Sequence, residues 1–322
     1  MNKRTVNVLA SIGAGLAVGG LALLARNLPS SLLKVVRAAP REASDMDAAP
    51  PTPTAAPTSA PSAAPSPGPA ACPADMSLVE GLFCPKLDYR CARPSSEPGH
   101  GCAEYARGMT CAGEPDPRRY CIDRYEWPNR VGEQPRVFVD WHEAKALCAS
   151  AGKRLCRRSE WTLACEGPKR LPYAWGFVRQ PNPCNVDRAS IPFDVAAILD
   201  ERTREGEIAR LWQADPIGTH PACVSSFGAY DMAGNVDEWT DNLADDPETP
   251  QPSTLNGGYW GPVRNTCRLS TKTHGPTFKF YQVGFRCCSD TIDGVPTPPP
   301  RPFIDRERER GSRRDREGHE DG

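Results

Sequence analysis

The chain has 322 residues, with 39 Lys and Arg against 40 Asp and Glu, so no excess of charge argues for a nucleic-acid partner and none is expected. Its 14 cysteines include no CxxC pair, which leaves zinc-ribbon and thioredoxin-like readings without their characteristic spacing. An even count, all beyond position 71, favours disulfides in an exported chain, with a pairing that the sequence does not give.

The first 30 residues read as an export element. Lys3 and Arg4 precede a nearly uncharged run from Thr5 to Ala25, long enough to cross a bilayer once as a helix of about 20 residues. Arg26, Asn27 and Pro29 follow where a small-x-small cleavage site would stand, so an uncleaved signal anchor is expected ahead of a cleaved signal peptide. The positive end stays inside, which puts the remainder at the periplasm or cell surface, or in the medium if the signal is cleaved. Residues 31–71 form a Pro/Ala-rich linker. Ala48 to Ala71 contains only Ala, Pro, Ser, Thr and one Gly, a composition that cannot bury a core and favours extended polyproline structure.

The folded region is expected over residues 72–290, followed by a charged, disordered tail over 291–322 in which seven arginines from Arg301 on are matched by seven acids. Met76 to Phe83 reads as an opening strand. Six cysteines between Cys72 and Cys121 predict a loop-rich, disulfide-held section. Tyr120 to Trp127 alternates as a strand does. Asp140 with Glu143 forms a capping-box pattern before a helix whose Trp141, Ala144, Leu147, Cys148 and Ala151 share one face, with Gly152 at its end. A second short helix is expected from Ser159 to Gly167. His142-Glu143 does not open a zinc HExxH motif, because Ala146 stands where the second histidine belongs.

Beyond Trp175 the chain is broken by Pro181, Pro183 and Pro192. Asn185, Asp187 and Asp194 lie here, with cation binding and Asx-turns both open to them. Phe227 to Thr240 (FGAYDMAGNVDEWT) sets Asp231, Asn235, Asp237 and Glu238 among large apolar residues and reads as a tight, buried turn. Gly228 and Gly234 supply its unusual backbone angles. Asn235, a main-chain carbonyl and Glu238 are hard oxygen donors suited to calcium, although on chemistry alone a capped turn over an aromatic core is the preferred reading, since calcium needs more oxygens than these. Gly257–Trp260 and Val283–Cys287 read as late strands. Short elements separated by long irregular segments give an α+β domain of low regular content, rich in disulfides.

At this point the motifs form a recognisable series: YCIDRYEW (120–127), VDWHEAKALCASAGKRL (139–155), SEW (159–161), YAWG (173–176), PIGTHP (216–221), FGAYDMAGNVDEWT (227–240), GGYW (257–260) and GFRC (284–287). In this order they resemble the formylglycine-generating enzyme, or sulfatase-modifying factor, family across roughly residues 72–288. The resemblance implies an irregular α+β fold related to C-type lectins, and an oxidase that converts a sulfatase cysteine to formylglycine on Cu(I) held by two cysteines shortly after the Gly-Gly pair. Aligned from Gly257-Gly258, the second of those positions is Cys267 and the first is Pro262, which has no thiol. The arginine expected before Gly-Gly is Asn256. Copper is therefore not expected. Cys267 is the one candidate catalytic residue, with a disulfide role favoured for it. The resemblance also implies structural calcium at Asn235, Val236 and Glu238, and at Asn185 and Val186 with Asp194 as a candidate acidic partner.

Two functions follow as expectations. The leading one is a membrane-anchored, extracytoplasmic module that has lost the copper chemistry and binds a protein, peptide or glycan ligand. The alternative is an oxidoreductase of the family, acting on a sulfatase cysteine or through altered metal chemistry.

Overall fold

The computed structural model describes residues 70–97, 101–180, 183–245 and 249–296. The apolar run of residues 5–25, nearly all of the linker and the arginine-rich tail lie outside these described residues, and among the described residues no helix is long and apolar enough to cross a membrane.

The domain opens with β1 (Met76–Phe83), as the sequence predicts. A disulfide-knotted hairpin of β2 (Cys91–Pro94) and β3 (Cys102–Tyr105) follows, then β4 (Asp116–Asp123), which runs antiparallel to β1 along its whole length, from Met76 opposite Asp123 to Phe83 opposite Asp116. Helix α1 (Trp141–Ser150) starts at the expected cap: the Asp140 carboxylate accepts from the Glu143 N–H at 2.8 Å, and the Glu143 carboxylate accepts from the Asp140 N–H at 3.0 Å. It is followed by β5 (Arg154–Leu155) and α2 (Arg158–Glu166), whose residues from Ser159 onward are all buried and which ends on Gly167 at φ +62°. Two short helices come next, α3 (Val195–Leu199) and α4 (Arg204–Leu211). The last third supplies β6 (Asp237–Asp241), β7 (Ser253–Asn256), β8 (Ser270–Thr271), β9 (Val283–Phe285) and β10 (Cys287–Ser289).

These strands make two four-stranded sheets, ordered β1-β4-β10-β5 and β8-β7-β6-β9. The first buries Val79, Tyr120 and Ile122 against Trp161, Leu163 and Met232; the second buries Trp239 and Phe285 against Trp141 and Ala144. Burial of this many large apolar side chains is the main favourable term in the fold, at about 1.5–3 kcal/mol for each one removed from water. Strands β9 and β10 are separated by a single residue, Arg286, yet belong to different sheets. All fourteen cysteines are paired: Cys72–Cys121, Cys84–Cys111, Cys91–Cys102, Cys148–Cys287, Cys156–Cys288, Cys165–Cys267 and Cys184–Cys223. The adjacent Cys287 and Cys288 tie β10 to α1 and to the segment before α2. The first of these closes a separation of 139 residues, and a loop of that length stabilises by about 5 kcal/mol in the chain-entropy account.

The structure corrects three expectations. The strand read over Tyr120–Trp127 lies earlier, at Asp116–Asp123, because it follows β1. From Arg124 the chain leaves the sheet, so that Trp127 stacks on Phe285 and its N–H reaches the Phe285 carbonyl. Gly257–Trp260 is not a strand. Gly257 and Gly258 sit at φ +87° and +73°, which breaks the pleat, and the strand is the preceding β7. The stretch Phe227–Thr240 is a turn only in its first part, where Gly228, Asp231, Gly234 and Asn235 all have φ between +54° and +83°; from Asp237 it is the buried strand β6. At Gly234 a Cβ would collide with the Asn185 carbonyl and the Val186 side chain. Gly234→Ala is therefore expected to destabilise the domain by at least about 2 kcal/mol in urea unfolding without reductant, combining left-handed strain with the clash. A midpoint unchanged from the parent contradicts this close approach.

Candidate functional site

The centre of the motif-bearing half is the side chain of Arg286, fully buried between the two sheets. Its Nε donates to Glu238 Oε2 at 2.7 Å and its Nη2 to Glu238 Oε1 at 2.6 Å, a bidentate pair. Nη2 also reaches the Tyr230 carbonyl at 2.8 Å, and the Trp161 indole N–H donates to Glu238 Oε2 at 2.7 Å. Glu238 thus has three donors. Its position follows from the parallel pairing of β6 with β9, which sets Glu238 opposite Gly284, two residues before Arg286.

Two further carboxylates face this pair. Glu126, buried, accepts from Asn235 Nδ2 at 2.6 Å and from the Val236 N–H at 3.0 Å. Burial, then the nearby charges of Asp231 and Glu238, push its carboxyl well above the usual range. Asp231 accepts from the Gly218 N–H through Oδ2 at 3.0 Å, while its buried Oδ1 has no hydrogen-bond partner. Burial pushes Asp231 up to about 6. Three carboxylates surround one guanidinium, and the positive charge of Arg286, buried as it is, is held by them.

The candidate calcium residues separate into a pair and an outlier. Asn185 and Asn235, fifty positions apart, meet: Asn185 Nδ2 donates to Asn235 Oδ1 at 3.1 Å, and the Asn235 N–H donates to the Asn185 carbonyl at 2.9 Å. Asn235 Oδ1 also accepts the Asp215 N–H at 2.9 Å, and Asn185 Oδ1 accepts Arg188 Nε at 2.8 Å. Val186 is buried beside them. Asp194 does not join: it caps α3, its Oδ1 accepting from Ala196 and Ala197 at 2.9 and 3.1 Å. Among the described residues no group of three or more His, Cys, Asp or Glu is arranged to hold a metal ion. An ion at Asn235, Val236 and Glu238 fits only if Glu238 exchanges one of its three protein donors for it.

The candidate catalytic cysteine is not a thiol. Cys267 is bonded to Cys165 with an S–S distance of 2.03 Å, and both are buried. The disulfide reading of the sequence is the one the structure carries, and the catalytic assignment of Cys267 is corrected accordingly. The cystine is also covered. Arg268, next to Cys267, forms a bidentate pair with Glu166, next to Cys165, with both contacts at 2.6 Å, and donates to the Cys84 carbonyl at 2.9 Å. The Tyr89 hydroxyl donates to the Leu171 carbonyl at 2.9 Å and to Glu166 at 3.3 Å. Cys84 and Tyr89 therefore lie against the residues that flank the position which the family resemblance links to the second copper cysteine. On the other side of the Gly-Gly pair, residues 189–193, Tyr259–Gly261 and Tyr281 line an aromatic cleft of about 380 Å³. No signal in the sequence pointed to this cleft, because its walls come from four separated segments, Leu211 and Gln213 included, with no shared motif.

The model of the sulfatase-modifying factor enzyme 1-like domain matches residues 108–291, more than half of the chain. The chain belongs to this family. Its fold is the family's, and residues 72–107, with the β2–β3 hairpin, lie before the matched part. Among similar proteins, an inactive C-alpha-formylglycine-generating enzyme 2 of Bos taurus is 30% identical over 164 residues, covering 49% of this chain and 50% of its own length. The formylglycine-generating enzyme of Thermomonospora curvata is 28% identical over 185 residues, 49% of this chain and 56% of its own. This chain thus spans about half the length of these curated relatives. Among solved structures, CarF superposes with a TM-score of 0.41 at 16% identity, over 68% of this chain and 98% of that one.

The buried pair at the centre of the family domain yields a direct expectation. Arg286→Met leaves Glu238 without its guanidinium in an apolar interior and should cost about 3–5 kcal/mol in denaturant unfolding. Adding Glu238→Leu to that variant should recover part of the loss, since replacing both partners removes the unpaired charge. A double variant no more stable than Arg286→Met contradicts the assignment.

Proposed function

We propose that the chain is a membrane-anchored, extracytoplasmic member of the sulfatase-modifying factor family that lacks the two-cysteine copper oxidase site and works as a binding or scaffolding module. One observation carries the reading: of the two positions that the family resemblance assigns to copper, Pro262 has no thiol and Cys267 is closed into a buried cystine with Cys165. Cu(I) requires soft thiolate ligands, and a cystine offers none. The alternative of an oxidase that borrows another cysteine finds no free thiol in the chain. Relatives bearing both inactive and active names match at nearly equal identity, so the names do not decide between the readings. Anchoring and exported location rest on the apolar run of residues 5–25 and on the seven disulfides, which need an oxidising compartment.

The test uses the full chain with Cu(I) and a CxPxR peptide of the sulfatase type. Neither tight stoichiometric copper binding nor conversion of the peptide cysteine is expected. Either result, obtained without prior reduction of the protein, defeats the proposal.

Structural calcium at Asn235, Val236 and Glu238 is a second proposal, supported by their oxygen donors and by the buried, unpartnered Asp231 Oδ1 close by. Millimolar calcium should then raise the melting temperature, and a chelator should lower it again, in the parent and not in Glu238→Gln. Identical melting curves in calcium and chelator dispose of the site.

A further inference from the structure

The outermost strand of a sheet leaves a row of backbone groups unpaired, and proteins normally blunt such edges with short strands, prolines, charges or bulges. Most edges among the described residues follow that rule. β5 and β8 have two residues each, and β9 has three. β2 has four, ends on Pro94 and shifts register twice against β3. β3 is covered on its far side, where the Tyr105 N–H reaches the Phe177 carbonyl and the Arg179 N–H the Ala103 carbonyl, both at 2.9 Å. β1 is the exception. It is the outer strand of its sheet, runs eight residues in unbroken register with β4, and contains no proline, lysine or arginine.

The hydrogen bonds at its start fix which backbone groups face outward. Opposed residues of an antiparallel pair alternate between exchanging hydrogen bonds and not exchanging them. The Arg124 N–H donates to the opposed Asp75 carbonyl at 3.3 Å. Counting from that pair, Ser77, Val79, Gly81 and Phe83 bond to β4, while Met76, Leu78, Glu80 and Leu82 turn their N–H and C=O away from it. Met76 agrees: its N–H goes to the Pro73 carbonyl and its own carbonyl accepts from Arg124 Nε. For Leu78, Glu80 and Leu82, no described residue bonds to the backbone from the outer side. Their side chains share the outer face of the sheet, with Leu82 55% exposed. Arg119, opposite Glu80 on β4, matches its charge at 3.3 Å.

An open edge of this kind accepts another extended strand. The linker of residues 48–71 is unsuited, because its many prolines have no N–H to give. A second copy of β1 fits. Antiparallel pairing about a two-fold axis between the two Glu80 residues sets Leu78 opposite Leu82 of the other copy, twice, and uses the outward groups of all three residues. Across the joined sheets the central row reads Arg119, Glu80, Glu80, Arg119, so each carboxylate keeps its own guanidinium. We propose that the outer edge of β1 is a self-pairing surface, through which two copies of this chain join their sheets antiparallel with the axis at Glu80. The inference goes beyond the non-oxidase reading and does not depend on it.

The test is sedimentation of the full chain in detergent over a range of concentrations, with the disulfides intact. A dimer is expected. Glu80→Pro removes an outward N–H and leaves the bonds to β4 in place, so it costs the dimer two hydrogen bonds, and Leu82→Lys puts a charge against the apolar Leu78. Each should weaken dimerisation roughly tenfold or more. Hydrogen exchange, read residue by residue, ties the dimer to this edge: the amides of Leu78, Glu80 and Leu82 should be protected in the dimer and exchange freely on dilution, while those of Val79 and Gly81 stay slow throughout. Should Glu80→Pro fail to fold, the exposed Leu82→Lys and the exchange of the parent still decide. A monomer at every concentration, a dimer indifferent to both variants, or outward amides that exchange alike at high and low concentration overturns the proposal.

Discussion

A single buried ion pair, Arg286 with Glu238, sets how the two sheets meet. Arg286 is the only residue between a strand of one sheet and a strand of the other, so its side chain has to enter the core at the seam. An unpaired guanidinium there would be prohibitively costly. The bidentate carboxylate, the Tyr230 carbonyl and the Trp161 indole together offset that cost by satisfying both partners. The turn from Gly228 to Asn235 is shaped to deliver these groups, and its left-handed residues are what allow Tyr230, Asp231 and Asn235 to face inward within a few positions of one another. The chemistry of this stretch is thereby structural: it holds the domain together at the seam.

The proposed function turns on the residues that follow the Gly-Gly pair. The disulfide Cys165–Cys267 converts a position that the family resemblance links to copper into a covalent tie between α2 and the loop after β7. The Arg268–Glu166 pair and the Tyr89 hydroxyl then seal it beneath a segment that lies before the family-matched part of the chain. In the proposed reading both features act in the same direction: Cys267 offers no thiolate, and Cys84 and Tyr89 of the preceding segment contact the residues beside it. What stays open is the aromatic-walled cleft between Ile191 and Tyr281.

The sequence revealed elements wherever a local rule sufficed. The capping box at Asp140 and Glu143 placed the start of α1, which ends at Ser150, just short of the expected Gly152, and Gly167 placed the end of α2. It misled where a local pattern met a tertiary demand. Tyr120–Trp127 alternates well, but Glu126 and Trp127 are needed against Asn235 and Phe285, so the strand ends at Asp123. Gly257–Trp260 looks strand-like in composition, while its two glycines are there for angles that no strand adopts. The helices α3 and α4 escaped notice because α3 has only five residues and α4 is largely polar, with Ile198 and Leu211 as their deeply buried apolar residues. For the site, Asn235, Glu238 and Cys267 were legible as important, but their partners were not. Neither the meeting of Glu238 with Arg286 nor that of Cys267 with Cys165 has a signature in spacing, since each joins residues about fifty or a hundred positions apart.

The central claim, that the copper position is closed as a cystine, is tested most directly by mapping the disulfides of the full-length protein. Digestion without reductant, followed by mass spectrometry, should yield a peptide containing Cys165 linked to one containing Cys267, with neither residue alkylated beforehand. Recovery of Cys267 as an alkylated free thiol, or in a bond to any other cysteine, would contradict the account.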